Sequence, residues 1–410
     1  MKGFFHKSQL LAMGTKPPNL TPRCERCRLY KDCTSPKMPP VGEGLKGVLI
    51  IAEAPGRTED ESGEQLTGKA AQRLRKTLNE IGIDLEEDCV KTNSIICRPP
   101  GNRTPTSDEL SYCRPHLVET IEKHDPHLII ALGSSALLQL ITPYWDKDFG
   151  VFERWVGNQI PLQPLNAWIC PTWHPQYLER DRNEVRDLWF RKHLEAAFSK
   201  TRKPWKEVPD YKAMVELPDE EQVRQVFSEM ADYQGMAAID YETNALKPDD
   251  KRTAVPVSFS ITWGRGKAER CIAYPLVPAN LDITRNFLRS PIPKVAANLK
   301  YEERWSITHF NTRVRNWCWD TMQCAHVIDN RPGVTSNDFQ AFTQLGLPSY
   351  SSHISPMLKS KEKGASTVNQ ILSEINLKQL LIYNGLDTVS ELELAIKQMK
   401  RLGRKPPWKD

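Results

Sequence analysis

Two rhythms of apolar and polar positions alternate along this chain. Residues 47–52 (GVLIIA) form a short unbroken apolar run that stops at EAPG, the pattern of a buried parallel strand entering a turn. Over 68–82 the apolar positions move to helical spacing, with Ala71, Leu74, Leu78 and Ile81 on one face and Gly82 as the stop. VKTNSIICRPP reads as a second strand broken by prolines. SDELSYCRPHLVETIEKH reads as a helix with Ser107 as N-cap and acidic residues in its first turn. PHLIIALG is a third strand, SSALLQLI a helix, and WICPTWHP a fourth strand with a loop after it. Strands alternating with helices predict an α/β sheet whose loops collect at the strand ends.

The pattern changes near 200–210, where SKTRKPWKEVPD is polar, basic and proline-bearing, and it restarts beyond. KAMVEL reads as a strand, PDEEQVRQVFSEM as a helix, and MAAIDYETN as a strand ending in charge. AVPVSFSITWG and ERCIAYPLV alternate like paired strands, and the remainder is mostly helical down to the basic tail KQMKRLGRKPPWKD. The expected division is one domain over 1–200, a linker over 201–210 and a second α/β domain over 211–410. At about 150 residues per domain, 410 residues accommodate two or three such cores.

Composition narrows the class. With 39% hydrophobic and 26% charged residues the chain is not a disordered tail, and no apolar run approaches the ~18 residues of a membrane helix. The first residues, MKGFFHKSQLLAMGTKPP, lack a long apolar core with a small-residue cleavage site, so the expectation is a cytoplasmic setting with no membrane partner. A net charge of +5 permits nucleic-acid binding without demonstrating it.

The ten cysteines are unevenly placed: Cys24, Cys27, Cys33, Cys89, Cys97, Cys113 and Cys170 lie in the first half, and Cys271, Cys318 and Cys324 in the second. In a cytoplasmic chain such a cluster points to metal or redox chemistry rather than disulfides. Cys24-x2-Cys27 suits one metal ion or two corners of a cluster, and Cys97 and Cys113 can complete a set of four that ties the N-terminal arm onto the α/β core. Cys33 is a fifth candidate, and spacing alone does not choose among the five. Cys89 and Cys170 read as small packed hydrophobes.

With these residues in view, the chain from about 20 to 195 resembles the iron–sulfur uracil-DNA glycosylases of the family-four type. The motifs CERC, AEAPGRTED, GEQLTGKAA, TNSIICRPPGNRTPTSDELSYC, ALG and WHPQYL carry the resemblance in the family's order. It implies that Cys24, Cys27, Cys97 and Cys113 hold a 4Fe-4S cluster. It also implies that Glu53 and Glu59 position or polarise the attacking water, that Asn93 reads the uracil edge, and that His174 stabilises charge on the departing base. Such chemistry acts on a nucleotide flipped out of the stack. Two departures stand out. Ala52 replaces a usual glycine, and Leu66 occupies the place of the phenylalanine on which uracil stacks. Base–aromatic stacking is worth ~1–3 kcal/mol, so Leu66 puts excision, though not the fold, in question.

In the second half, Asp240 and Glu242 stand at i and i+2 and project from the same side of a strand end. Tyr383 and Asp387 are four apart and share a helix face. With AANLKYEERW and WDTMQCAHVID between them, these residues resemble the ordered motifs of the tyrosine-bearing DEDD 3′–5′ exonucleases, which have a ribonuclease H-like fold, over about 211–398. The resemblance implies that Asp240, Glu242 and Asp387 hold one Mg²⁺ or Mn²⁺. Asp240 also reaches a second ion, with Glu302 supporting it through water, and Tyr383 orients the attacking water. Glu302 stands where the family has aspartate, Glu303 is its competing neighbour, and Asp320 is given a supporting role.

Both resemblances occur together in phage-type DNA polymerases, ahead of a polymerase module for which no length remains after Asp387. The expected function is therefore a 3′–5′ DNA exonuclease fused to a uracil-DNA glycosylase-like domain. It would act on single-stranded or frayed 3′ ends as the proofreading part of a split phage-type replicative polymerase, with a separate polymerase subunit as partner, in the cytoplasm of a virus-infected host. Two alternatives stay open: a free-standing repair enzyme that excises uracil and trims 3′ ends, and a non-catalytic clamp on DNA and a partner.

Overall fold

The computed structural model describes residues 22–407 except 182, 250–251, 351–353, 355–370 and 372–373. The N-terminal stretch read for a leader lies outside the described residues, as do the last three positions of the basic tail. The chain divides into two compact units: Met1–Val208 with Phe342–Pro348, and Pro209–Ala341 with Ser349–Asp410.

The first unit is built on a sheet of order β2-β1-β3-β5-β4. Strands β1 (Val48–Ala52), β2 (Cys89–Asn93), β3 (Leu128–Leu132) and β5 (Ala167–Thr172) are parallel, and β4 (Ile160–Leu162) runs antiparallel to β5. β1, β2 and β3 are buried along their whole length, as sheets covered on both faces require. Helices α1 (Cys24–Cys27), α2 (Arg57–Ser62), α3 (Lys69–Glu80), α4 (Ser107–His124), α5 (Ser134–Ile141), α6 (Pro175–Asp181) and α7 (Glu184–Phe198) complete the unit. The register pairs Ala52 with Asn93 and Leu132 with Thr172, so the loops after all four parallel strands leave from one edge. Ligand sites of open α/β sheets form at that carboxyl edge.

Three local expectations change. The N-cap of α4 is Thr106 rather than Ser107, because the reciprocal bonds need a glutamate three residues on: Glu109 N–H donates to Thr106 Oγ1 at 3.2 Å, and Thr106 N–H donates to Glu109 Oε2 at 2.8 Å. Residues 201–208 are held on the first unit rather than spacing it from the second. Trp205 Nε1 donates to Pro161 O and Asn166 Nδ2 to Trp205 O, each at 3.1 Å. Residues 342–348, placed by the sequence in the second domain, join the first unit. Phe342 is fully buried with its ring 5.1 Å from Trp145 and 5.9 Å from Trp155, and Gln163 Nε2 donates to Leu345 O at 3.0 Å. Gly346 lies so near Pro161 O that a Cβ would stand 1.7 Å away.

The second unit has a six-stranded sheet of order β11-β10-β7-β8-β9-β6. Strands β7 (Ala237–Thr243), β8 (Pro256–Trp263) and β9 (Arg270–Pro275) form an antiparallel meander, and β10 (Lys294–Ala296) and β11 (Trp317–Asp320) add in parallel beyond β7. This is the arrangement expected of a ribonuclease H-like domain. β6 is only Val215–Glu216, the core of the KAMVEL run. The helices here are α8 (Glu220–Glu229), α9 (Pro278–Arg289), α10 (Lys300–Phe310), α11 (Thr321–Ile328), α12 (Asn337–Gln340) and α13 (Leu377–Arg401). α13 lays Leu392, Ala395 and Met399 on Met236, Ala238 and Val295. Gly385 permits the close approach, since a Cβ there would stand 2.5 Å from Val215 Cγ1 and 3.2 Å from Cys271 Sγ. Among the described residues no helix is long and apolar enough to cross a membrane.

Candidate functional site

The carboxyl edge of the first sheet opens into a cavity of about 550 Å³, and all five residues expected there, Glu53, Glu59, Leu66, Asn93 and His174, line it. They are not equivalent. Glu59 is spent on the loop: Gly56, Thr67 and Gly68 donate backbone N–H groups to its carboxylate at 3.0, 3.2 and 2.7 Å. Glu53 directs one oxygen to Ser135 Oγ at 2.8 Å. Asn93, at the end of β2, donates through Nδ2 to Gln65 Oε1, and Gln65 in turn donates to Met38 O at 3.0 Å. Gln65 is fully buried and fixes the amide orientation of Asn93, a role no sequence motif marked. Leu66 beside it is buried in the left-handed region at φ 54°, held there by the loop that Glu59 pins. Burial takes the pKa of His174 down to about 4. The ring is therefore neutral near pH 7, and because Gln176 N–H donates to Nδ1 at 3.2 Å, its proton sits on Nε2.

A second constellation lies on the same unit. Cys24, Cys27, Cys97 and Cys113 surround a small cavity with Leu29, Ile95 and His116. Cys33 packs into the same apolar cluster. All are free thiols, and Lys37 N–H donates to Cys97 Sγ at 3.2 Å. Burial raises Cys27 and pushes Cys97 and Cys113 up to about 12, so these thiols keep their protons unless a cationic centre binds them. Among the described residues, one group of three carboxylates, Asp240, Glu242 and Asp387, has ligand atoms that all lie within 4.8 Å of one another.

In the second unit, Asp240 and Glu242 on β7 meet Asp387 on α13 in that triad. Asn384 Nδ2 donates to Asp240 Oδ2 at 2.6 Å and is itself oriented by Ser258 Oγ at 3.0 Å. Asp387 Oδ1 accepts from Asn337 Nδ2 at 3.0 Å and from the Tyr350 hydroxyl at 2.5 Å. Tyr383 also hydrogen-bonds Asp387, its ring 5.8 Å from that of Tyr350. Burial first and then mutual repulsion raise Asp240 and Glu242 well above the usual carboxylate range, and burial pushes Asp387 up to about 7. Such a cluster asks for positive charge. Glu302 is buried toward Asp240, whereas Glu303 turns away to accept from Val314 N–H and Trp317 Nε1. Asp320 spends both oxygens on the amides of Asn298, Leu299 and Gln323, holding the segment that leads to Glu302. Asn337, Tyr350 and Asn384 were absent from the sequence reading; lone amides and a loop tyrosine carry no spacing that marks them.

Comparison with known proteins adds the following. The profile described as Uracil DNA glycosylase superfamily matches residues 39–198. The type-4 uracil-DNA glycosylase of Pyrobaculum aerophilum is 36% identical over 159 residues, covering 38% of this chain and 79% of that protein. A DNA polymerase of Bacillus phage SP01 is 36% identical over 101 residues, covering 24% of this chain and 11% of the polymerase. Among solved structures, Escherichia coli RNase D, described as an exoribonuclease involved in structured RNA processing, aligns at 11% identity and a TM-score of 0.34, covering 46% of this chain and 45% of that one.

Proposed function

The chain belongs to the uracil-DNA glycosylase superfamily, and on that premise we propose that it joins a DNA-binding glycosylase-type unit to a metal-dependent 3′–5′ DNA exonuclease. In this reading it serves as the proofreading part of a split phage-type replicative polymerase. The observation that carries the exonuclease is the convergence of Asp240, Glu242 and Asp387 within 4.8 Å, half-buried and short of compensating charge. Hard oxygen donors of this kind fit Mg²⁺ or Mn²⁺. Bound there, divalent ions would activate water and stabilise the leaving 3′ oxygen. The chain's own groups do the rest. Asn384 and Asn337 hold the carboxylates in place, and Tyr383 supplies a hydroxyl beside Asp387 to orient the attacking water. Cys24, Cys27, Cys97 and Cys113 are proposed to hold a 4Fe-4S cluster, supported by their convergence on one small cavity.

The test is degradation of a 5′-labelled oligonucleotide with a mismatched 3′ end. Wild type should shorten it from the 3′ end only with Mg²⁺ or Mn²⁺. Asp240→Ala should abolish the reaction, and Tyr383→Phe should slow it while leaving the metal requirement intact. Wild-type-like digestion by Asp240→Ala would remove the nuclease from this site, and inertness of the wild type would favour the clamp.

A second activity is favoured by the cavity at the carboxyl edge. Asn93 retains a carbonyl and one N–H for a base edge, Glu53 keeps one oxygen clear of Ser135 for a water, and His174 offers Nε2–H to charge on the departing base. Glu59 acts here by positioning the loop of Leu66 rather than by touching water.

A further inference from the structure

Two phenolic hydroxyls reach Asp387, and only one of them belongs to the spacing that marks α13. Tyr383 stands one helical turn before Asp387 and is half-buried. Tyr350 arrives from a loop 37 residues earlier in the chain and is 6% exposed. Its hydroxyl donates to Asp387 Oδ1 at 2.5 Å, a length typical of a hydroxyl on a charged oxygen. Asn337 Nδ2 donates to the same oxygen at 3.0 Å. Asn337 is held in turn, because Nδ2 also donates to Ser390 Oγ at 3.0 Å, and Ser390 Oγ donates to Asp387 O at 2.9 Å. A carboxylate oxygen offers two acceptor directions, and both of those on Oδ1 are taken. The carboxylate is therefore turned and fixed by two neutral donors. They set its direction without supplying the positive charge that the triad lacks.

We infer that Tyr350 is the positioning residue for the divalent cation: it fixes the direction in which Asp387 offers its carboxylate to the ion, while Tyr383 serves the attacking water. The inference deepens the exonuclease reading and rests on it. Burial divides the two tyrosines. The hydroxyl of Tyr350 is committed to Oδ1 deep in the unit, whereas the half-buried Tyr383 can meet water. A carboxylate free to rotate loses that freedom when an ion binds. One already tied has lost it on folding, so the ion binds more tightly.

The deciding measurement is calorimetric titration of Mn²⁺ into the full chain without DNA, with Asp387→Ala as the background for ions bound elsewhere. Tyr350→Phe keeps the ring that lies 5.8 Å from Tyr383 and removes only the donor. It should bind Mn²⁺ about ten- to a hundredfold more weakly than wild type, and raised Mn²⁺ should restore its degradation of 3′ ends. Tyr383→Phe should do the reverse, with wild-type Mn²⁺ affinity and a slow rate that no Mn²⁺ concentration restores. Circular dichroism checks that each variant is folded. Should Tyr350→Phe not fold, Asn337→Ala, which removes the other donor to Oδ1, should weaken Mn²⁺ binding in its place, and unchanged affinity there would count against the inference. Unchanged affinity in folded Tyr350→Phe would leave Tyr350 a packing residue and overturn the assignment. A rate that added Mn²⁺ fails to restore would overturn it too, by giving Tyr350 the task assigned to Tyr383. Wild type that leaves 3′ ends intact, yet loses Mn²⁺ affinity in Tyr350→Phe, would defeat the exonuclease reading alone. Metal-dependent degradation with unchanged affinity in Tyr350→Phe would defeat only the role of Tyr350.

Discussion

Leu66 combines two departures in one residue: it lacks the ring expected at its position, and it holds a backbone conformation that costs a non-glycine residue ~1–2 kcal/mol. Strain of this kind persists where surroundings over-determine it, here the three amides around Glu59 and the buried Gln65 next door. Leu66→Phe keeps the strain and adds a stacking face worth ~1–3 kcal/mol, so release of free uracil should rise by about tenfold or more. The rise should be larger on single strands, where unstacking costs less. Unchanged release in Leu66→Phe together with no effect of Asn93→Ala would mean the cavity serves binding. His174 gives a pH prediction. Its folded pKa of about 4 lies below the ordinary histidine value of ~6.5, so the unfolded chain takes up the proton first as pH falls. Its contribution to stability is therefore full above about pH 6.5 and is lost on descent toward 4. Urea midpoints measured across that window should fall less steeply in His174→Gln than in wild type.

At the scale of elements, α13 carries most of the second site, and its approach to the sheet depends on Gly385. Gly385→Ala would drive a methyl into Val215 and Cys271, an overpacking that costs ~1–3 kcal/mol. Because Asp387 lies two residues on, 3′-end degradation should drop with it, and thermal unfolding alongside the rate separates the two effects. A variant with both stability and rate unchanged would show that β6 yields freely. Sequence reading reaches the residues that the structure gathers here where chemistry and periodicity coincide: Tyr383 and Asp387 on α13 are spaced by one turn, and Asp240 and Glu242 on β7 by one strand repeat. It misses Asn384, Asn337 and Gln65, whose roles come from partners more than 25 residues away in sequence. It does not foresee that Glu59, at the same cavity, clasps the backbone amides of Gly56, Thr67 and Gly68. Ser107 fails as a cap for a similar reason, since only Thr106 has a glutamate at the required offset.

For the whole molecule, the two metal centres proposed here lie in different units with ligands of opposite chemistry, thiolate in one and carboxylate in the other. Cys97→Ala should accordingly lose iron on elemental analysis and destabilise the first unit, while Mg²⁺-dependent degradation of 3′ ends persists. Stoichiometric zinc and no iron in the wild type would refute the cluster. The longer strands of both halves could be read from the sequence, because buried runs and turn residues are local, whereas β4 and the short β10 and β11, in a stretch read as mostly helical, could not. That residues 342–348 join the first unit could not be read there, because it turns on contacts made across the chain, the Phe342 ring against Trp145 and Trp155 above all.

That contact has a bearing on descent. Phe342 sits against Trp145 and Trp155, so the first unit is completed by a segment encoded well after the point where the second begins. A recombination between the codons for Val208 and Pro209 would look, on the page, like a clean exchange of cassettes. Its product would leave two tryptophans facing an empty slot unless the incoming half brought its own ring to the same place, and loss of a buried phenylalanine costs ~3–5 kcal/mol. The two halves are therefore expected to travel through lineages as a pair, with exchange tolerated only between parents that share the aromatic at this position.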